Sequence, residues 1–140
     1  MADIKIKQVQ GATFAARGKT NHWTMMDGEE QFGGAGAASK PTELVLFGLG
    51  GCTAMDVVSI LKKMRVAVDD FQIGIDFERA EDHPKVFTKI DMTYHFYGTD
   101  LPMAKLEKAV SLSKDRYCTV SAMLSKAVDI SVNIEVHEPE

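Results

Sequence analysis

The sequence predicts an α+β fold, and three observations carry that expectation. Two runs in which apolar and polar residues alternate, Ile73 to Phe77 and Val86 to Phe96, flank the polar turn Glu81-Asp82-His83-Pro84. Such a pair is the pattern of an antiparallel hairpin with one wet face. A long apolar stretch, residues 41–65, precedes them and has no two-residue period. The order of elements is β-rich, long helix, hairpin, two helices and a last strand, which is not a βαβ repeat. The 140 residues amount to one domain, 1–140.

Composition narrows the function. With 45% hydrophobic and 26% charged residues, the chain is neither collagen-like nor disordered. Sixteen basic residues stand against twenty acidic ones, a net charge of -4, so no basic footprint recommends nucleic acid. The longest charge-free apolar run, Leu44 to Met55, falls short of the ~20 residues that a bilayer requires. The opening residues lack a basic-then-apolar leader pattern. These features predict a cytoplasmic protein with no membrane partner.

Along the chain, Ile4, Ile6 and Val9 sit among polar residues as in a strand, and Thr13 to Ala16 continue it or begin a second. Asp27-Gly28 is a turn dipeptide and predicts a hairpin. From Gly28 to Lys40 the chain is rich in glycine and alanine around Gly33-Gly34-Ala35-Gly36. The Gly-Lys-Ser/Thr ending of a phosphate loop is missing, so a flexible connector is expected there.

Pro41 suits a first helical turn, Glu43 the positive end of the helix dipole, and Lys62, Lys63 and Arg65 the negative end. Apolar residues cover every side of the helix between them, so it must be buried all round. A chain of this length has little material for that, which predicts cover from a second subunit. Gly48, Gly50 and Gly51 each weaken the helix by ~1 kcal/mol, which close approach of a neighbouring element would offset; a plain break is the alternative. Beyond the hairpin, Pro102 opens a helix with Leu106, Ala109 and Val110 inward. A short helix spans about Thr119 to Lys126, and Ile130 to Val136 alternate as a final strand.

The chemistry lies in two cysteines. Cys52 sits in Gly50-Gly51-Cys52-Thr53-Ala54, and Cys118 in Arg116-Tyr117-Cys118-Thr119-Val120-Ser121. Two inert core thiols are the simplest alternative. Against it, Cys118 falls at a helix start beside Arg116, and both favour thiolate; local chemistry thus nominates Cys118 as the more acidic thiol. Asp56, one turn after Cys52, would disfavour a thiolate if it faced the sulfur, and is otherwise a hydrogen-bonded structural residue. His22, His83, His95 and His137 are scattered without metal-ligand spacing, so no metal site and no cofactor are expected. His95 reads as a surface residue on the polar side of its strand.

Two segments carry a family resemblance. Pro41-Thr42-Glu43-Leu44 running through Gly50-Gly51-Cys52-Thr53-Ala54-Met55-Asp56-Val57-Val58, and Tyr117-Cys118-Thr119-Val120-Ser121, resemble the two signatures of the OsmC/Ohr family. Those are the osmotically inducible and organic hydroperoxide resistance proteins, and the chain looks closer to the OsmC-like branch. The resemblance implies an intertwined homodimer with antiparallel sheets around a long buried central helix carrying Cys52. It further implies a thiol peroxidase for organic hydroperoxides, with Cys52 peroxidatic, Cys118 resolving and a dithiol as reductant. Arg17 matches the arginine that steadies the thiolate, and Phe47, Leu49 and Met55 would line the site.

One position departs from that pattern. The peroxidase members place a glutamate directly after the proline, where this chain has Thr42, with Glu43 one residue later. On a continuous helix Glu43 and Cys52 stand half a turn out of phase. Glu43 therefore meets the Cys52 of its own chain only if the glycines break the helix, and otherwise contributes across a dimer. The departure favours a second reading: a redox-responsive or small-molecule-binding dimer with little turnover.

Overall fold

The computed structural model describes residues 2–139, and the chain forms two compact units, Met1–Phe47 and Gly48–Glu140. In the first unit, strands β1 (Lys5–Gln10), β2 (Thr13–Arg17) and β3 (Trp23–Met26) make an antiparallel sheet in chain order. No hairpin forms at Asp27-Gly28, because the Asp27 side chain binds its own loop instead of yielding to a strand turn. Its buried carboxylate accepts the backbone N–H groups of Gly28 (2.7 Å), Ala35 (3.2 Å) and Ala37 (3.1 Å), and the Thr13 hydroxyl (3.0 Å).

Burial alone would raise this carboxyl's pKa, yet those donors hold it below the usual carboxylate range. The glycine-rich segment is thus an organised loop wrapped on one carboxylate, not a plain connector. Gly34 is required there: a Cβ would stand 2.0 Å from the Gly28 carbonyl oxygen.

Helix α1 (Pro41–Lys63) runs unbroken through its three glycines. Its start is tied by a Glu43 carboxylate oxygen that accepts the Lys40 N–H at 3.0 Å, the back-reaching half of a capping box. By length and composition alone α1 is able to cross a membrane, since twenty-odd residues with few charges suffice. The charge-free run from Leu44 to Met55 is only part of this helix. In the fold, however, α1 carries a stripe of buried residues, Leu49, Thr53, Val57 and Leu61, at every fourth position.

The second unit is built on β4 (Asp70–Arg79), β5 (Phe87–Tyr97) and β6 (Asp129–His137), again in chain order. β4 and β5 form the expected antiparallel hairpin, with Ile75 opposite Met92. The expectation of purely antiparallel sheets fails at the last pair: β5 and β6 run parallel, from Lys89↔Asp129 to Tyr97↔His137. The reason is the connection. A helical crossover, α2 (Met103–Leu112), one π-helical turn (Ser113–Tyr117) and α3 (Thr119–Leu124), carries the chain back to the starting edge.

Along β5 the pleat sends Ile90, Met92, Tyr94 and Phe96 inward and Lys89, Asp91, Thr93 and His95 to the other face. Gly50 allows the close approach expected of it, since a Cβ would come 3.3 Å from Ile75 Cδ1; Gly48 and Gly51 have nothing within 4 Å. α1 is not buried all round by its own chain: Phe47, Met55 and Val58 are 56%, 75% and 56% exposed. One chain covers one stripe of it.

Candidate functional site

Cys52 and Cys118 come together in the second unit. Cys52 is half-buried on α1, one residue before the buried Thr53. Cys118 caps α3: its Sγ accepts the Ser121 N–H at 3.3 Å, and its own N–H donates to the Ser113 carbonyl at 2.7 Å. The π-helical turn before it widens the backbone enough to deliver Cys118 at the cap, and such turns recur at functional sites. The two sulfurs and a carboxylate oxygen of Asp56 lie within 4.8 Å of one another, and both cysteines are free thiols.

The local case for Cys118 as the more acidic thiol is overturned. Burial pushes its pKa up to about 11; the Ser121 N–H opposes this, and the neighbouring Cys52 sulfur and the Asp56 charge add to it. α3 is only six residues long, and the Arg116 guanidinium lies over the Tyr117 ring, 5.5 Å from its centroid. Desolvation outweighs one short helix end.

Asp56 both faces the sulfurs and is hydrogen-bonded. The Ser113 hydroxyl donates to it at 2.9 Å. Ser113 and Thr53 hydroxyls are 2.8 Å apart, as are Thr53 and Tyr94. Because a carboxylate only accepts and each hydroxyl has one proton, the chain must run Tyr94 to Thr53 to Ser113 to Asp56. Burial raises the Tyr94 pKa, which keeps its phenol a donor. This buried line fixes α1 against β5 and the π turn at the level of Cys52.

An open groove of about 450 Å³ begins at Asp56 and is lined by Ile60, Lys63, Met64, Leu112 and Tyr117. It differs from the lining expected at the site: Leu49 is fully buried in the core, and Phe47 and Met55 are exposed. The sequence shows Asp56 one turn from Cys52, but nothing in it places Ser113, Tyr94 or the groove beside them.

Arg17 and Glu43 belong to the first unit. The Arg17 Nη1 donates to Asn21 Oδ1 at 2.8 Å, and its guanidinium lies 5.5 Å from the Trp23 ring centroid. Glu43 caps its helix as described above. Two sets of side chains among the described residues have metal-ligand spacing: Cys52, Asp56 and Cys118, and a second formed by His95, Glu135 and His137. The expectation that the histidines stay scattered is therefore corrected. His95 and His137 meet because β5 and β6 pair in parallel, which residue spacing does not disclose.

The family model described as OsmC-like protein matches residues 33–133. Protein YhfA of Escherichia coli K12 is 41% identical over 132 residues, covering 94% of this chain and 96% of that one. Among solved structures, a hypothetical protein from Aquifex aeolicus is 31% identical with a TM-score of 0.86, covering 100% of this chain and 98% of its own. An organic hydroperoxide resistance protein OsmC from Legionella pneumophila has the same fold, with a TM-score of 0.70 at 16% identity and 94% of each chain covered.

Proposed function

The chain belongs to the OsmC-like protein family, and on that premise we propose that it is a thiol-dependent reductase of organic hydroperoxides. The observation that carries this reading is the convergence of the Cys52 and Cys118 sulfurs within 4.8 Å. Their unequal environments support a division of labour. Cys118 is 2% exposed and held protonated, whereas Cys52 is partly exposed and is the sulfur a peroxide can reach.

In the proposed cycle the Cys52 thiolate attacks the distal peroxide oxygen, the O–O bond breaks, and the alkoxide leaves as an alcohol after taking a proton. Cys52 becomes a sulfenic acid. The Cys118 sulfur then attacks it, a disulfide forms and water leaves with the thiol proton. A dithiol reductant supplies the two electrons that reopen the disulfide and is itself oxidised. Burial, with the Asp56 charge adding to it, keeps Cys118 a thiol until it is needed. The groove from Asp56 to Tyr117 offers Ile60, Met64 and Leu112 to an alkyl group. Arg17 serves the thiolate by resemblance to the family pattern.

We place the enzyme in the cytoplasm as a homodimer. An exposed row along α1 that includes Met55 and Val58 supports self-association, since contiguous exposed apolar side chains mark surfaces that another protein covers. Sedimentation equilibrium at micromolar concentration is expected to give twice the 15.4 kDa chain mass, and a 15.4 kDa species alone would rule the dimer out.

The second reading, a redox-responsive or small-molecule-binding dimer with little turnover, is favoured by the Asp56 charge beside the thiols and by Thr42 at the family's glutamate position. Titrating reduced protein with an alkyl hydroperoxide while counting free thiols separates the two. Rapid loss of two thiols per chain, restored by a dithiol and repeated over many cycles, supports the enzyme. Thiols that stay intact under excess peroxide would overturn it.

A further inference from the structure

We propose that His95, Glu135 and His137 form a binding site for a zinc-class divalent cation, with the fourth position left open to water. The site is separate from the thiol pair. Tyr94 points inward to Thr53, so its neighbour His95 projects from the opposite face of the sheet.

The parallel pairing sets His95 opposite Glu135 and Tyr97 opposite His137. All four side chains therefore share one face, two residues apart along each strand. The donor atoms converge: His95 Nδ1 is 3.0 Å from His137 Nε2, and the Glu135 carboxylate oxygen is 3.3 Å and 3.6 Å from those nitrogens. Around a tetrahedral zinc ion with bonds of ~2.0–2.2 Å, ligand atoms stand ~3.3–3.6 Å apart. Two edges of the triangle, those to the Glu135 oxygen, have that size, and the 3.0 Å edge between the two nitrogens has to open by ~0.3 Å to admit the ion. A single proton between the two nitrogens would satisfy one of its edges and leave the carboxylate beside both.

The rings are held in place for this. His137 is stacked between His95, at 5.2 Å between centroids, and Tyr97, at 4.7 Å, both within 24° of parallel. The ligands sit on paired strands rather than on loops, so the geometry does not depend on a mobile segment. The three side chains are 27%, 49% and 36% exposed, which gives an ion a way in and leaves room for water. Two imidazoles and one carboxylate suit borderline cations such as zinc better than calcium or magnesium, which prefer oxygen ligands.

The test is a calorimetric titration of the full chain with zinc at neutral pH. It uses the Cys52→Ser/Cys118→Ser double variant, so that the thiol cluster cannot bind the ion. One zinc ion per chain is expected. His95→Gln and His137→Gln, each added to that background, are expected to weaken binding by at least about tenfold with unchanged circular dichroism. Zinc should shift the NMR ring signals of His95 and His137 and leave those of His22 and His83 in place. The site is overturned if the double variant binds no zinc, or if both histidine substitutions leave its binding unchanged. Retained zinc binding only where the cysteines are present would assign the ion to the thiol cluster and likewise overturn the proposal.

Discussion

The Ser113 hydroxyl donates to the Asp56 carboxylate at 2.9 Å, and this bond sets the direction of every hydrogen bond behind it, back through Thr53 to Tyr94. Removing different members of that line therefore leaves different orphans. Ser113→Ala strips Asp56 of its donor and leaves the Thr53 proton unpaired. Tyr94→Phe leaves only an oxygen lone pair of Thr53 unfilled. Both variants should be less stable, by ~1–3 kcal/mol for Ser113→Ala and by less for Tyr94→Phe. Urea denaturation at one fixed protein concentration measures the order, and a reversed order would contradict the assigned direction.

The Cys118 thiol, pushed up to about 11, gives a pH signature. In the unfolded chain it titrates as an ordinary exposed thiol, near 9.0. Between about 9 and about 11 the folded state keeps a proton that the unfolded state releases, so this group's stabilising effect is complete below that window. It is lost as pH rises through it. In the Cys52→Ser variant, thiolate absorbance from Cys118 should rise with a midpoint well above 9.0. Asp56→Asn keeps an acceptor for Ser113 but removes the charge, so it should move that midpoint down. A midpoint at or below the ordinary thiol range would show that the sulfur is not desolvated.

Stopping the cycle halfway tests the order of the two thiols. With Cys118→Ser, Cys52 should consume one equivalent of alkyl hydroperoxide and accumulate a sulfenic acid that dimedone traps. With Cys52→Ser, the remaining buried thiol should react far more slowly. Trapping on Cys118 at a rate matching the parent protein would reverse the roles.

Much of this was legible in the chain. The hairpin β4–β5 followed from alternation and a polar turn, and α1 from its apolar length and charged ends. The parallel placement of β6 was not, because one strand's alternation says which face is wet and nothing about its direction. That same pairing creates the His95–Glu135–His137 cluster, invisible to residue spacing. Asp27-Gly28 misled in the other direction. A dipeptide that favours a hairpin instead supplied a carboxylate around which the following loop closes, an effect decided by residues 35 and 37. At Cys118 a helix start does favour thiolate, but burial, which the local sequence does not disclose, outweighs it.

Arg17 and Thr42 test the carried-over mechanism. If a carboxylate after the proline normally steadies the arginine, the shift from position 42 to 43 rotates it by ~100° around the helix. Peroxidase turnover should then be measurable but slow. Arg17→Ala should lower kcat/KM by about tenfold or more, on the scale of losing one charge-assisted contact to the reacting sulfur. Thr42→Glu should raise it where the longer side chain fits. An Arg17→Ala protein as fast as its parent removes Arg17 from the site.

The Asp27 loop yields the last expectation. Its carboxyl is held below the usual range by backbone donors, so the stability it gives is present above the unfolded carboxyl's pKa and is lost as pH falls through the lower folded value. Asp27→Ala leaves the N–H groups of Gly28, Ala35 and Ala37 without their acceptor and should lower the thermal midpoint at neutral pH by several degrees. The difference from the parent should shrink towards strongly acid pH, where the parent's carboxylate is protonated too. Gly34→Ala should match or exceed that loss at every pH, because its Cβ would stand 2.0 Å from the Gly28 carbonyl oxygen whatever the charge on Asp27. Thermal melts across the acid range read both effects. A constant Asp27→Ala deficit at all pH values would mean that the side chain acts by packing and not as an ionised acceptor.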